Sequence, residues 1–493
     1  MSLSEKEILQ VLEENKRLKM QVDSLNEFIA LLRRQRFGKK SEQLSSEQLG
    51  LFNEGELESI QPDPTDDEGE EIEVPAHTRR RGKRMKLPEG LRREVVTLDI
   101  DDKTCHEDGT ILKCIGEEVS ETLEIIPAKV FVKKIIRKKY ACPTCEAMTS
   151  PKAPETLLPK TNASASLLAY IATSKYVDGL PLYRQEAMFA RAGIDLTRQT
   201  MGRWMVSVGE KIQCLIDLMR ADLLTSKYLQ MDETVVQVLN EEGKKAETKS
   251  YMWVQHAPST FPVVLFTYAP TRSAEHPRLL LKGFTGSLQV DGYDGYAPVC
   301  RENGITRLGC WAHARRKFFD AFESSQGKSV GKEGLKYFKK IYETEEKLRE
   351  VPLEQRFYER LTKTVPLMKR LKVWLDIEVN KVTPSSLAGK AIHYTLNEWD
   401  YLLNCFCHGD YELDNNGIER RIRPFTIGRK NWLFSATVAG AEASANLYSL
   451  VETAKLNQHE PHGYLCKVFE KLPLATTHEQ LMALLPNRMR PVG

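Results

Sequence analysis

The sequence predicts an α/β protein built around one mixed sheet, and three observations predict it. Two short apolar strings, Tyr228-Leu229-Gln230-Met231 and Ser287-Leu288-Gln289-Val290, each run into an aspartate, Asp232 and Asp291. Between them the pattern reads as strands at 228–239, Tyr251–His256 and Phe261–Tyr268, the first two joined by the polar turn Glu241-Glu242-Gly243-Lys244-Lys245, then a helical stretch near 274–282. After Asp291 a short strand, Ile305–Gly309, leads into a helix containing Trp311-Ala312-His313-Ala314-Arg315-Arg316-Lys317-Phe318-Phe319. Three antiparallel strands, a crossover helix and a parallel strand is the order of a ribonuclease-H-like core, in which the ends of the first and fourth strands lie side by side.

The two aspartates at neighbouring strand ends, joined by an acid on a nearby helix, suit a pair of Mg²⁺ (or Mn²⁺) ions. Ions roughly 3.5–4 Å apart activate an attacking oxygen and stabilise the leaving one in phosphoryl transfer. The third acid is Glu419, within Asp414-Asn415-Asn416-Gly417-Ile418-Glu419-Arg420-Arg421-Ile422-Arg423-Pro424. Asp414 is expected to cap the short helix that presents Glu419, and that helix to stop before Pro424. Among competing acids, Asp294 falls past the fourth strand, and Glu233 points to the opposite face from Asp232 if the strand continues. From Asp291 to Glu419 there are 127 intervening residues (419 − 291 − 1), more than a strand and a helix need. The helical spacing of Leu335, Phe338, Ile341 and Tyr342 marks 321–410 as a helical insertion, splitting the core into 225–320 and 411–460 before a tail, 461–493.

The 493 residues allow several domains, and 41% hydrophobic with 28% charged residues is ordinary for globular proteins. No apolar run approaches the ~20 residues of a membrane span, which argues against a membrane partner and fits a soluble, cytoplasmic protein. Ten cysteines without a secretory signal imply reduced thiols. The net charge of +3 matters less than its segregation: the acidic run Asp66–Glu73 is followed by the basic Arg79–Lys86.

Residues 1–40 read as a coiled coil. Heptads place Ile8, Asn15, Val22 and Ile29 at one seam position and Val11, Leu18, Leu25 and Leu32 at the other. β-branched residues at a with leucine at d favour a parallel dimer, and an Asn at a fixes its register. Glu14 and Lys19 are positioned for an interhelical ion pair. Residues 41–94 form a polar linker whose flanks are basic.

A module at 95–150 carries Cys142-Pro143-Thr144-Cys145, a knuckle spaced for tetrahedral Zn²⁺. Its partner is Cys105-His106-Glu107-Asp108-Gly109, where Asp108 stands at the position of a second cysteine. The ligands are then Cys105, Cys142 and Cys145, with the fourth open among Asp108, Cys114 and His106. The basic stretch Val130–Tyr140 reads as β-rich.

Residues 151–224 read as helices: Ser164–Lys175, Tyr183–Ala192, and a third from the N-cap Thr197 through Leu218. A capped helix after a short glycine-containing turn outlines a helix-turn-helix DNA-binding domain, with Arg198, Gln199 and Arg203 at the start of its recognition helix. Further candidate DNA contacts are His313, Arg315, Arg316 and Lys317 on the helix after the fifth strand, and Arg420, Arg423, Arg429 and Lys430 after Glu419. His313 reads equally as a structural histidine. Trp432 reads as a stacking platform for a flipped base or as a core residue.

Taken in order, the zipper, the Lys86-Leu87-Pro88 and Ile115-Gly116-Glu117-Glu118-Val119-Ser120-Glu121 strings, and the CxxC knuckle resemble one family over nearly the whole chain. So do Asp232-Glu233-Thr234, Val290-Asp291-Gly292-Tyr293, Cys310–Phe318, Asn415-Asn416 through Glu419-Arg420, and Gly428-Arg429-Lys430-Asn431-Trp432-Leu433-Phe434. The chain resembles the insertion-sequence-66 family of bacterial DDE transposases. The resemblance implies that Asp232, Asp291 and Glu419 are the catalytic triad, that 95–145 is a zinc-binding module, that element ends and target DNA are the substrates, and that accessory proteins of the same element take part. The competing expectation is a non-catalytic DNA-binding regulator derived from such an enzyme.

If the zipper drives assembly into a homodimer or higher oligomer, deleting residues 1–36 converts dimers into monomers in light scattering. An unchanged mass would remove that role.

Overall fold

In a computed structural model of the chain, residues 129–141 and 148–490 are described, except 260 and 325–328, together with isolated positions nearer the N-terminus. The chain forms two units, one of Glu47–Ser150 and one of Met1–Ser46 with Pro151–Gly493. In the smaller unit, Tyr140–Ala141 pairs antiparallel with Met148–Thr149. The stretch 130–139, expected to be β-rich, carries no strand, and Phe131 and Val132 are exposed.

The larger unit begins with helices α1 (Ala165–Tyr176), α2 (Leu182–Arg191), α3 (Arg198–Lys211) and α4 (Gln213–Leu224). Ser164 caps α1 by accepting from the Leu167 N–H at 3.2 Å, and Thr197 caps α3 by accepting from Thr200 at 3.3 Å. The third helix was expected to run unbroken through Leu218, but it ends at Lys211 and the chain restarts at Gln213. These helices share one apolar core with the sheet: Leu168, Met201, Val208, Leu215 and Met219 are buried together with Leu229, Val254 and Phe266.

The sheet contains β1 (Tyr228–Asn240), β2 (Lys249–Ala257), β3 (Val263–Ala269), β4 (Ser287–Gln289) and β5 (Thr306–Leu308) in the spatial order β3-β2-β1-β4-β5. β1, β2 and β3 are antiparallel; β4 runs parallel to β1, and β5 to β4. A short helix, α5 (Glu275–Leu280), carries the chain from β3 to β4, and α6 (Tyr296–Asn303), which the sequence pattern did not suggest, lies between β4 and β5. α7 (Trp311–Ser324) follows β5 as expected.

The insertion is helical: α8 (Val330–Leu348), α9 (Leu353–Glu359), a π-turn at Arg360–Thr364, α10 (Val365–Glu378), α11 (Leu387–Asn397) and α12 (Trp399–Asn404). Its centre is ionic. Arg360, 3% exposed, donates to Glu345 at 2.9 Å and to the carbonyls of His408 at 2.6 Å and Tyr411 at 3.0 Å. Thr364 donates to the second Glu345 oxygen at 2.6 Å. A buried guanidinium so satisfied ties the insertion to the segment that returns to the sheet.

That segment enters α13 (Asn416–Trp432), then β6 (Ser435–Thr437), α14 (Val438–Leu456), α15 (Pro461–Lys471) and α16 (His478–Met482). β6 pairs in parallel with the far end of β1, Ser435 opposite Val238. α14 crosses α3 where Gly209 meets Ala443; a Cβ at Gly209 would lie 2.5 Å from that of Ala443. α14 also closes the outer edge of β3. Thr453 Oγ1 accepts from the Val264 N–H and donates to the Val264 carbonyl, both at 3.0 Å, and Ser449 Oγ accepts from the Phe266 N–H at 2.7 Å. Helix hydroxyls thus stand where another strand would bond.

Thr453→Val keeps the shape and removes these bonds from a buried edge. It should lower unfolding free energy by about 1–3 kcal/mol for each group left unpaired, read as a lower urea midpoint at unchanged slope.

Candidate catalytic site

β1 and β4 pair with Tyr228 opposite Ser287, Leu229 opposite Leu288 and Gln230 opposite Gln289. Asp232 lies two residues past Gln230 and Asp291 two past Gln289, so both acids follow the paired segment at the same distance, Asp232 on the same side of β1 as its glutamine. The expectation that both close a strand needs correction. β1 continues to Asn240 because β2 stays paired with it through Gln237, so Asp232 sits mid-strand. β4 does end, at Gln289, and Asp291 lies in the departing loop, where its Oδ1 accepts the Tyr293 N–H at 3.0 Å.

The third acid arrives on α13, seated on β1 at two points. Asn415 Nδ2 donates to the Met231 carbonyl at 3.1 Å, and Gly417 lies so close to Gln230 that a Cβ there would be 2.2 Å from its Oε1. Glu419 follows within the first turn. Two expectations about this helix fail. It does not stop before Pro424 but runs through it to Trp432, leaving the Arg420 carbonyl without its helical donor. Asp414 does not cap it: Asn415 is the N-cap, without a side-chain bond. Asp414 instead caps α7, accepting from the Ala312 N–H at 2.7 Å and from the Tyr342 hydroxyl at 2.6 Å. One carboxylate thereby joins α7, the insertion and the start of α13.

The charges of these acids are felt at Asp232. Burial first, then the charges of Glu233, Asp291 and Glu419, hold its carboxyl well above the usual carboxylate range. Two cations border the group: Arg272 Nη2 is 4.0 Å from Asp291 Oδ2, and Arg316 Nη2 is 4.0 Å from Glu419 Oε2. Among the described residues, no three His, Cys, Asp or Glu side chains are drawn close enough to enclose a metal ion. Glu233 borders the group as well, pairing with the same Arg272 and accepting from the Tyr296 hydroxyl at 3.0 Å.

Beneath the acids lies a polar layer that sequence reasoning missed. Gln230 Nε2 donates to Gln289 Oε1 at 3.0 Å and to the Tyr228 hydroxyl oxygen at 3.1 Å. Gln289 Nε2 donates to the Glu412 carbonyl at 2.8 Å. His256 Nδ1 lies 3.1 Å from Gln230 Oε1, an atom that only accepts, so the imidazole carries its proton on Nδ1. Burial pushes the His256 pKa down to about 3, so the ring is neutral. A signal was present: Leu-Gln-apolar-Asp occurs at both 229–232 and 288–291, and an amide inside an apolar strand needs a buried partner. Arg307 was also missed. From β5 it donates to the Asp291 backbone carbonyl at 2.8 Å and to Glu398 of the insertion at 2.7 Å.

The expected DNA contacts separate into groups. Arg198, Gln199 and Arg203 are exposed on the first turns of α3. On α7, Arg316 faces Glu419, whereas Arg315 lies 5.7 Å from the Tyr342 ring and Lys317 4.6 Å from that of Tyr394. His313 Nδ1 is buried with no hydrogen-bond partner among the described residues, and burial lowers the ring's pKa despite the nearby Glu419. Arg420, Arg423 and Lys430 are exposed on α13. Arg429 instead donates to Thr234 Oγ1 at 3.2 Å and to the Val235 carbonyl, holding α13 on β1. Trp432 packs on Tyr176 and Tyr448, with ring centroids 6.5 Å away in each case, which is the core alternative. Cys105, Asp108, Cys142 and Cys145, with His106 and Cys114, lie outside the described residues.

Comparison with known proteins places this chain in a family. Residues 160–443 match the model described as "Transposase IS66 family". Residues 24–96 match "Transposase C of IS166 homeodomain", 102–146 "zinc-finger binding domain of transposase IS66", and 449–487 "IS66 C-terminal element". The "Uncharacterized protein y4jD" of Sinorhizobium fredii is 33% identical over 99% of this chain and 98% of its own. A second protein of that organism, "Uncharacterized protein y4qI", is 32% identical over 76% of this chain and 72% of its own. The chain belongs to the IS66 family of transposases.

Proposed function

We propose that the chain is a DDE-type transposase with a ribonuclease-H-like core, cutting DNA at the ends of its element and joining the freed ends to target DNA. The observation that carries this reading is that Asp232 and Asp291 each follow the paired Gln230 and Gln289 by two residues, with Glu419 close enough for its charge to be felt at Asp232 on a helix docked to the same strand. The strand order β3-β2-β1-β4-β5 supports the fold assignment. Asp232, Asp291 and Glu419 would hold Mg²⁺ or Mn²⁺: all their donors are oxygens, as hard dications require, and Asp232 is raised first by burial and then by the negative charge gathered around it. Bound there, such ions supply the positive charge that a phosphoryl-transfer transition state needs.

The chain's own residues then have distinct tasks. Arg316 and Arg272 border the acids and suit the phosphates flanking the cut. His313 brings an unsatisfied ring nitrogen beside Glu419. In the first step water attacks phosphorus and the bond to the 3′ oxygen breaks, leaving a 3′-OH. In the second that hydroxyl attacks a target phosphate and displaces its 3′ oxygen. We assign end recognition to α3 through Arg198, Gln199 and Arg203, and dimerisation to residues 1–40, where Leu18, Val22 and Ile29 are helical with exposed side chains. Accessory proteins of the same element complete this reading.

Cleavage and strand transfer on the DNA flanking the coding sequence, with Mg²⁺, test it. Asp232→Asn, Asp291→Asn and Glu419→Gln should each reduce both steps by on the order of 10³-fold or more, while binding to the ends persists. Full activity in any of the three removes that residue from the site. A wild-type protein that binds the ends and never cuts them would be a regulator instead.

The module matched at 102–146 should carry about one zinc per chain by elemental analysis, as a single tetrahedral site requires, and Cys142→Ser should lose it. A metal-free wild-type protein of equal stability would show that zinc has no part in this module.

A further inference from the structure

We propose that Leu433 and Phe434 form an apolar wedge that enters the DNA duplex a few base pairs from the cut; this rests on the nuclease reading above. The chain leaves α13 through a three-residue turn in which the Phe434 N–H donates to the Trp432 carbonyl at 2.8 Å. Its central residue, Leu433, has φ 67° and ψ −47°, the rare strained form of the γ-turn. Glycine takes a positive φ without penalty, whereas a bulky side chain there is an outlier that the surroundings must hold in place.

The surroundings do hold it. The Leu433 N–H donates to the Arg429 carbonyl at 2.7 Å, and Asn431 Nδ2 donates to the Gly179 carbonyl at 2.8 Å. Behind the turn Trp432 is fixed against Tyr176 and Tyr448. The strain serves no packing: Leu433 is 64% exposed and Phe434 42%. It holds two large apolar side chains out in water.

Position and charge favour DNA as the occupant. Ser435 pairs with Val238, so Phe434 is level with Gln237, five residues along β1 from Asp232 (237 − 232). That is roughly 17 Å at strand rise, or about five base-pair steps. β4 covers this edge of β1 as far as Gln230 and β6 resumes at Val238. Between them α13 bonds β1 through Asn415 and Arg429, so the two side chains and Asp291 stand on the same edge of β1 at either end of that docked helix. Arg423 and Lys430 are exposed on the helix leading to the turn, and Lys175 Nζ lies 5.4 Å from the Trp432 ring. Two side chains are too few for a protein-docking face of some 20–30 residues. Leucine and phenylalanine amid cations match the wedges with which proteins unstack a base step.

The test uses the full-length protein and duplexes from the flanks of its coding sequence, with 2-aminopurine at successive positions beside the cut. Wild type should raise the fluorescence severalfold at one or two positions. Leu433→Gly and Phe434→Ala should abolish the rise. Anisotropy should show little change in affinity, since the cost of unstacking the bases offsets the stacking of the side chains against them. Leu433→Gly is decisive because it relieves the strain: a turn kept only for its shape would leave this variant as responsive as wild type, and that result overturns the wedge. Cleavage is scored on the same duplexes. Cutting without any 2-aminopurine response overturns the wedge and leaves the nuclease reading standing. A response that the variants lose, without cutting by wild type, overturns the nuclease reading alone. Neither response nor cutting overturns both.

Discussion

The parallel pairing of β1 with β4 is the constraint on which the rest of the site depends. Side chains alternate along a strand, so a slip of one residue would turn Asp291 to the opposite face from Asp232. Parallel strands have no tight turn to set their register. Here the buried pair Gln230–Gln289 helps to set it, because a slip would break the amide–amide hydrogen bond between them, away from solvent that could replace it. The two glutamines therefore help to place the aspartates that follow them, through hydrogen bonds in a buried layer.

The helical insertion reaches the acids by two routes. Arg360 fixes the segment that leads into α13, and Arg307 links Glu398 to the backbone of Asp291. Asp414 adds a third link, between α7 and Tyr342. A displacement of the insertion would thus be felt at Asp291 and at the start of the Glu419 helix, so the insertion belongs to the support of the site rather than hanging from it as a surface loop.

Much of this was legible in the sequence, and the parts that were not share physical causes. The first five strands of the sheet were readable because each alternates or carries an apolar run between polar turns, whereas the three-residue β6 was too short to show either; the cap at Thr197 was readable because a short hydroxyl residue precedes helical spacing. The role of Asp414 was not, because a carboxylate just before one helix can cap another that lies far away in sequence. The passage of α13 through Pro424 overrides a strong local signal with tertiary contacts, at Asn415 on one side and Arg429 on the other. The docked position of Arg429 was hidden for the same reason: a cation in a basic run looks like its neighbours until its partner, here a strand edge, is placed.

The hydroxyl ladder of Ser449 and Thr453 has a consequence for synthesis of the chain. The edge strand β3 is complete by Ala269, whereas α14, which covers it, begins only at Val438. On the ribosome, and in any product truncated before α14, the edge of Val263–Ala269 is bare, apolar and free to pair with another chain. Helix α14, near the end of the chain, therefore acts toward the first strands as a built-in chaperone, and premature termination should yield an aggregation-prone fragment rather than a smaller working domain.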